Sequence, residues 1–506
     1  MSTLKRGWFN RGSKDGLGNE AEGANAEDQG QGPFASNSFA STAHNVASFY
    51  RVRSVFDRRI HILGMGSVGR FIAHSLRGIP NPPPITMIFH RPKTANEWKK
   101  SAQKLQLVTG DTSEKREGYE VELAIPRPRF HGKEIGVGGD SVPRIEEQPR
   151  SSSKTPYQPL QGESSDPIHS LIVCTKTPAV LSALSSVKHR LHRNSVILFL
   201  QNGMGAVEEV NREVFPDPET RPYYMVGINT HGMYCPSDDP FTAVHAGFGT
   251  ISLGLLPHER ERHPAPYQPT LKFGGDRKGP SEPLPAKGSI DPDPESLAPT
   301  SVFQDWTPNS RYLLRTLLRT PVLCAAAFSP PDLLQMQLEK LAVNCIINPL
   351  TVMLDARNGA ILYNYHFTRV IRLLLSEISL IFRNLPELQY IPNVPQRFDP
   401  GRLETIVVSV AHKTKDNISS MLADVRAGRK TEVDYLNGWI VKRGEEMGVK
   451  CLMNYMLLNM VKGKGGMIQM EIGEHVPFVE PREGEDPMGI RSEYEAQGET
   501  SQGGDR

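Results

Sequence analysis

Three polar residues in the last third of this 506-residue chain, Lys340, Asn344 and Asn348, recur at four-residue steps. On a helix each step turns the side chain by only about 40°, so the three share one narrow stripe. Their neighbours Leu341, Ala342, Val343, Ile346, Ile347 and Leu350 are apolar. A stripe flanked in this way is partly buried, and its ammonium and amides then need polar partners. Asn417, Ser420 and Glu432 follow in a later segment. A protonated amine, amide and hydroxyl donors and a carboxylate suit a small substrate bearing a carboxylate, a carbonyl and a hydroxyl. Spacing alone leaves simpler roles open: a solvated face for the first three, a helix cap at Ser419 or Ser420, and first-turn acids at Glu432 and Asp434.

A second constellation stands near the other end. Gly64-Met65-Gly66-Ser67-Val68-Gly69 follows the apolar run Ile60 to Leu63 and opens a helix over Phe71 to Leu76, with a second strand at Ile85 to Phe89. In that βαβ context the first glycine makes a tight turn and the second lets backbone approach a pyrophosphate. The third lets helix and strand pack closely. The alternative is a glycine turn without a ligand. An NAD site carries an acid near the end of the second strand, whereas His90-Arg91-Pro92 offers a guanidinium, which suits the 2′-phosphate of NADP(H). Two later strands end in polar residues at the edge where open sheets bind ligands. Lys176 follows Leu171 to Cys174, and Asn202 follows Val196 to Leu200; either could reach the cofactor or a substrate carboxylate, or be an exposed lysine and a capping asparagine.

Together these pieces resemble ketopantoate reductase (2-dehydropantoate 2-reductase). The likeness spans roughly Arg58 to Gly254 and Ser310 to Lys462. It is most specific in LEKLAVNCIINPLTVMLDARNG, from Leu338, and NISSMLADVRAGRKTEVDYLNG, from Asn417. The resemblance implies NADPH-dependent reduction of 2-dehydropantoate to pantoate, in pantothenate and coenzyme A synthesis. It makes Lys340 and Glu432 catalytic, with Lys340 the general acid, and gives Asn344, Asn348, Asn358, Asn417 and Ser420 to the substrate. Gly64, Gly66, Gly69, Arg91, Lys176 and Asn202 match its cofactor side, with Met65, Ser67 and Val68 between the glycines. The chain is much longer than the family core, which leaves two further expectations. One is a non-catalytic NADP-binding scaffold or regulatory protein on the same fold; the other is a reductase of a different 2-keto acid.

The elements that must position these residues fall into two expected domains. Residues 58–256 read as an α/β, Rossmann-like doubly wound sheet, mainly parallel, with strands at Tyr224 to Ile228, Phe241 to His245 and Thr250 to Leu253 at its far end. Residues 93–167 mix charge, Gly, Pro and Ser and read as an insertion with one strand-like run at Tyr119 to Ile125. From 310 to 464 helical periodicity predicts an all-α domain, with Pro349 kinking the Lys340 helix. A polar arm at 1–57, a Pro-rich linker at 257–309 and a tail at 465–506 read as disordered.

Composition narrows the partners. With 58 basic and 56 acidic residues, the balance gives no reason to expect nucleic acid or an anionic membrane. No run approaches the roughly 18 apolar residues of a membrane span. The five cysteines are scattered without paired spacing, which predicts no structural metal and a reducing compartment. Lys5, Arg6, Arg11 and Lys14 suggest a mitochondrial presequence, but Asp15, Glu20 and Glu22 soon cancel that charge, so the cytoplasm is expected and the mitochondrion is the alternative. A small 2-keto acid is the expected partner, on a monomer or homodimer.

Overall fold

Burial decides the sheet. In the computed structural model, which describes residues 57–126, 129–130, 133–134, 163–236, 239–258 and 306–474, strand β1 (Ile60–Leu63) is buried at every position, as is β2 (Ile85–Phe89). Such continuous apolar runs belong to parallel strands covered on both faces. Helix α1 (Ser67–Arg77) joins them, then come α2 (Pro92–Lys100), β3 (Leu105–Thr109), β4 (Thr112–Arg116) and β5 (Tyr119–Leu123). After a two-residue hairpin, β6 (Arg129–Phe130) and β7 (Lys133–Glu134), the alternation resumes with β8 (Ser170–Val173), α3 (Val180–Val187), β9 (Val196–Phe199), α4 (Ala206–Glu213) and β10 (Tyr223–Asn229). Strands β11 (Gly232–Tyr234), β12 (Thr242–Gly247) and β13 (Ile251–Leu255) follow. The order β5-β2-β1-β8-β9-β10 is parallel throughout, with β13 antiparallel beyond β10. This is the doubly wound arrangement whose strand order reverses between β1 and β8, where a ligand crevice opens at the carboxyl ends.

Two expectations change here. Residues 93–126 are not an insertion: β5 is the third strand of the doubly wound sheet, in register with β2 from Tyr119 opposite Ile85 to Leu123 opposite Phe89. The polar surface residues of this stretch hide its buried ones, Ala95, Trp98, Leu105 and Leu107. Nor does Phe241 to His245 extend the far end of that sheet. Strand β12 pairs with β3 and β11 in a separate sheet, ordered β11-β12-β3-β4. Its apolar side, Leu105, Leu107, Phe241 and Ala243, clusters with Phe71, Ile72 and Leu76 of α1, and Trp98 meets Phe241 edge-on at 4.9 Å.

Helix α5 (Pro308–Leu318) and the short β14 (Ala325–Ala327) also belong to the sheet rather than to the helical domain that was expected from 310. Leu313, Leu314 and Leu317 join the core of β1 and β2, and β14 adds a parallel edge beside β13. The helical cluster begins with α6 (Pro330–Leu354), followed by α7 (Tyr365–Arg383), α8 (Val394–Arg397), α9 (Pro400–Lys413), α10 (Ser420–Arg426), α11 (Asn437–Glu446) and α12 (Leu452–Glu474). Helix α12 runs ten residues into the span expected to be a loose tail. The remaining arm, linker and tail lie outside the described residues.

Helix α6 is the axis of this half, and Pro349 sits inside it. Proline has no N–H, so the carbonyl four residues earlier loses its helical donor. The fully buried Asn437 supplies one: its Nδ2 donates to Cys345 O at 3.0 Å and to Asn454 Oδ1 at 3.0 Å. Asn437→Ala should therefore cost about 1–3 kcal/mol in urea denaturation, because a buried carbonyl loses its donor. In a Pro349→Ala background the restored amide can serve Cys345 O, so the same change should cost measurably less; equal costs in both backgrounds would break the link.

Candidate active site

The glycine turn is built as the crevice requires. Gly64 has φ +99°, and a Cβ there would lie 2.6 Å from Thr175 N at the end of β8. A Cβ at Gly69 would lie 2.1 Å from Gly64 O, so helix and strand touch backbone to backbone. At Gly66, by contrast, an added Cβ meets nothing within 4 Å. Gly66 is the N-cap of α1, with no side-chain cap and no acid in the first turn, which leaves helix N–H groups and a positive dipole end facing the crevice. Met65 and Val68 turn their side chains to the core, and Ser67 is the first residue of α1. Arg91 is exposed at the end of β2, as N-cap of α2.

Across the crevice, the helical domain brings Lys340 on α6 against the loop after β9 and the last residue of β10. Its ammonium donates to Asn202 Oδ1 at 2.8 Å and to Asn229 O at 2.7 Å. An ammonium has three donors, so one remains for a ligand oxygen. The other end of the same Asn202 amide donates to Glu432 Oε2 at 3.2 Å. Oε1 of Glu432 accepts from Thr177 N at 3.1 Å and Thr177 Oγ1 at 2.9 Å. Burial lowers the Lys340 pKa to about 8, while the Glu432 charge opposes the shift. Lys340 and Asn344 line a cleft with Gln201, Gly227, Ile228, Gln337 and Leu341. A half-buried amine that titrates near neutrality and points into a cleft can deliver a proton to a nearby oxygen.

The predicted residues lie along α6 rather than around one point. Lys340, Asn202 and Glu432 gather at one end. Asn344 is one turn on, half-buried, and Asn348 two turns on, about 12 Å along the axis and buried. Exposed Ser420 follows Ser419, and it is Ser419 that caps α10, accepting from Leu422 N at 3.1 Å; Ser419 Oγ lies 2.7 Å from Thr351 Oγ1, one turn beyond Asn348. Asn417 is exposed beyond that, its carbonyl accepting from Asn358 N at 3.0 Å. Asn358 itself is a loop joint: its Nδ2 holds Thr414 Oγ1 at 3.0 Å, past the C-terminal end of α6 and away from the Lys340 cleft. Lys176, expected on the cofactor side, has a partner in the helical domain. It spans the two domains in an ion pair with the buried Asp424, 2.8 Å away, which also holds Arg429 at 3.1 Å.

Three contributors carried no signal of their own in the sequence. Thr177 is an ordinary threonine beside a lysine, Asp424 an ordinary helix acid, and Asn229 acts through its backbone carbonyl. The loop after β9 is also fixed from across the interface. Gly203 has φ +82°, a Cβ there would lie 2.4 Å from Tyr435 O, and Met204 N donates to that carbonyl at 2.9 Å. Asn202 is thereby held where it meets both charges.

Comparison with known proteins fits this architecture. The family described as Ketopantoate reductase PanE/ApbA matches residues 60–258, and its C-terminal part matches 332–465. The chain is 28% identical over 302 residues to the "Probable 2-dehydropantoate 2-reductase" of Schizosaccharomyces pombe, covering 59% of this chain and 75% of that one. It is 25% identical over 420 residues to a ketoisovalerate reductase of Gibberella fujikuroi, covering 76% and 78%. Among solved structures, a D-mandelate dehydrogenase with NADH and anilino(oxo)acetate superposes with TM-score 0.54 at 15% identity, over 81% of this chain and 99% of that one. A PanE/ApbA family ketopantoate reductase from Ralstonia eutropha JMP134 gives 0.51 at 16%, with the same coverage. At these identities the two structures establish the shared fold.

Thr177 offers a test of the site's construction. Thr177→Val keeps the shape but removes one donor from a buried carboxylate, so stability in urea should fall by about 1–2 kcal/mol, while Thr177→Ser stays near the wild type. A valine variant as stable as the parent would show that the hydroxyl does not support Glu432.

Proposed function

We propose, from the premise that the chain belongs to the ketopantoate reductase family and so to the NADP-dependent oxidoreductases, that it reduces the keto group of 2-dehydropantoate to give pantoate. The observation that carries this is Lys340: an amine with pKa about 8, fixed by Asn202 and Asn229 at the carboxyl edge of a dinucleotide-type sheet. The residues on the other side of the crevice fit NADP(H). Gly66 leaves room for a pyrophosphate at the uncapped N-terminus of α1, and exposed Arg91 can meet a 2′-phosphate. The buried Gln201 Oε1, which has no donor among the described residues, can accept from a cofactor hydroxyl or amide. When bound, that cofactor supplies the hydride.

The chain's own part is electrostatic and acid–base. Reduction leaves negative charge on the former carbonyl oxygen, and the third N–H of Lys340 would stabilise that charge and then transfer its proton. Asn202 and Asn229 aim the ammonium, and Glu432, one amide away, keeps a counter-charge close without quenching the donor. Asn344, one turn along α6 in the same cleft, would hold the substrate hydroxyl, with Asn348 deeper along the stripe. Exposed Ser420 and Asn417 stand beyond Asn348 on the same domain as Lys340, so with the keto group at Lys340 this pose leaves them without a contact to the carboxylate bonded to the keto carbon.

A second substrate is favoured by one specific observation. The ketoisovalerate reductase relative aligns over 76% of this chain against 59% for the 2-dehydropantoate reductase from Schizosaccharomyces pombe. Ketoisovalerate lacks the hydroxyl that Asn344 would grip, so the ratio of kcat/KM values for the two acids reads out which one the cleft selects.

NADPH oxidation with both acids therefore tests the proposal. Turnover is expected with 2-dehydropantoate and a drop of about 100-fold or more in kcat for Lys340→Ala; NADPH binding without turnover of any 2-keto acid would leave only a scaffold role. Because the acid must be protonated, kcat for reduction should be level below pH 8. Above that it should fall about tenfold per unit, and a profile flat to pH 10 would remove Lys340 from the proton transfer. Arg91→Ala should weaken NADPH by about 1–3 kcal/mol and leave NADH unchanged, read by fluorescence titration; equal losses would separate Arg91 from the 2′-phosphate.

A further inference from the structure

A 2-keto acid carries a carboxylate on its keto carbon, so a site that brings the keto oxygen to Lys340 must also seat a negative charge beside it. The cleft has few uncommitted donors for that charge. Four amide side chains line it: Gln201, Asn202, Gln337 and Asn344. Two of them are engaged already. Gln201 Nε2 donates to Val173 O at 2.8 Å and to Thr175 O at 3.2 Å, and Asn202 Nδ2 donates to Glu432 Oε2 at 3.2 Å. The side-chain amides of half-buried Gln337 and Asn344 have no hydrogen-bond partner among the described residues.

Both stand on α6, one on either side of Lys340 along the helix. Gln337 is three residues before it, about 4.5 Å along the axis, and Asn344 is four residues after it, about 6 Å. Around the axis the two amides fall within about 20° of each other, on the same side of Lys340. The substrate has two arms of matching inequality. Measured from the keto carbon, a carboxylate oxygen is about 2.4 Å away and the hydroxyl oxygen about 3.7 Å, and each arm gains a hydrogen bond of about 2.9 Å. The shorter arm fits the Gln337 side and the longer arm the Asn344 side.

Charge agrees with this direction. Lys340 is the one charged side chain among the described residues that line the cleft. Glu339, its neighbour in sequence, is turned away to Arg397 at 3.1 Å and Arg402 at 2.7 Å, and the Glu432 carboxylate is occupied by Thr177 and Asn202. An anion beside Gln337 therefore meets amide N–H donors and a nearby ammonium rather than an acid. Resting on the reading of Lys340 as proton donor to a 2-keto acid, we propose that Gln337 holds the substrate carboxylate and is the residue that selects 2-keto acids over neutral ketones.

Calorimetry of the full chain saturated with NADP+ separates this from turnover, because the oxidised cofactor has no hydride to give. The wild type is expected to bind 2-dehydropantoate and ketoisovalerate, and to bind the uncharged methyl ester of ketoisovalerate at least about tenfold more weakly. Gln337→Leu should weaken both acids about tenfold, and Gln337→Glu, which sets one carboxylate against another, about 100-fold, while the ester changes by no more than about fivefold. Both replacements are good helix formers, and unchanged NADPH affinity reports an intact fold. Equal losses for acids and ester, acid binding indifferent to Gln337→Glu, a loss confined to 2-dehydropantoate, or a wild type that binds neither acid would overturn the proposal. Acid binding that responds to Gln337 as expected, with no NADPH oxidation by either acid, would support this carboxylate seat and overturn the reductase reading instead.

Discussion

One amide holds this site together. Asn202 accepts from the Lys340 ammonium with its oxygen and donates to the Glu432 carboxylate with its nitrogen. Both charged groups belong to the helical domain, and the amide between them belongs to the sheet. Taking either charge out of water without a partner would cost several kcal/mol. The pairing through Asn202 offsets that cost only when the domains are joined, so the interface and the site are one structure. The neighbouring contacts have the same character: Thr177 to Glu432, Met204 to Tyr435, and Lys176 to Asp424 each reach across.

The residual cost has a chemical use. A lysine in full contact with water would hold its proton too tightly to give it up readily near neutral pH. Burial brings Lys340 down to about 8, and Glu432 prevents a further fall. Were Glu432 in direct contact, its attraction would raise the amine's pKa again. Placing an amide between them keeps the counter-charge near and the proton transferable, an arrangement that serves reactivity more than stability.

The two halves supply this geometry by different means. The sheet relies on backbone contact: Gly64 and Gly69 let α1 lie directly against β1 and β8, which sets the crevice at the point where strand order reverses. The small sheet β11-β12-β3-β4 covers α1 with Leu105, Leu107 and Phe241, fixing that helix from its outer side. The helical domain relies on a single long axis. Helix α6 carries Lys340 near its middle and Pro349 nearer its end, and Asn437 supplies the donor that Cys345 O loses to the proline.

The sequence by itself determined the strand–glycine–helix unit, the two-domain order and the polar stripe, because each is local: helical spacing, a turn that only glycine allows, and apolar runs with one period. It did not disclose β5 as a core strand, since the partner that makes Tyr119 to Leu123 a central element is β2, about thirty residues earlier. Nor did it disclose that α5 serves the sheet, because an amphipathic pattern says that a face is buried and not against what. Tertiary structure alone chose the companions of Lys340. Asn229 contributes a carbonyl that every residue possesses, and Thr177 and Asp424 acquire meaning only from what stands opposite them. Side-chain spacing fixes the direction of groups on one element, whereas the meeting of two elements depends on packing summed over the whole core.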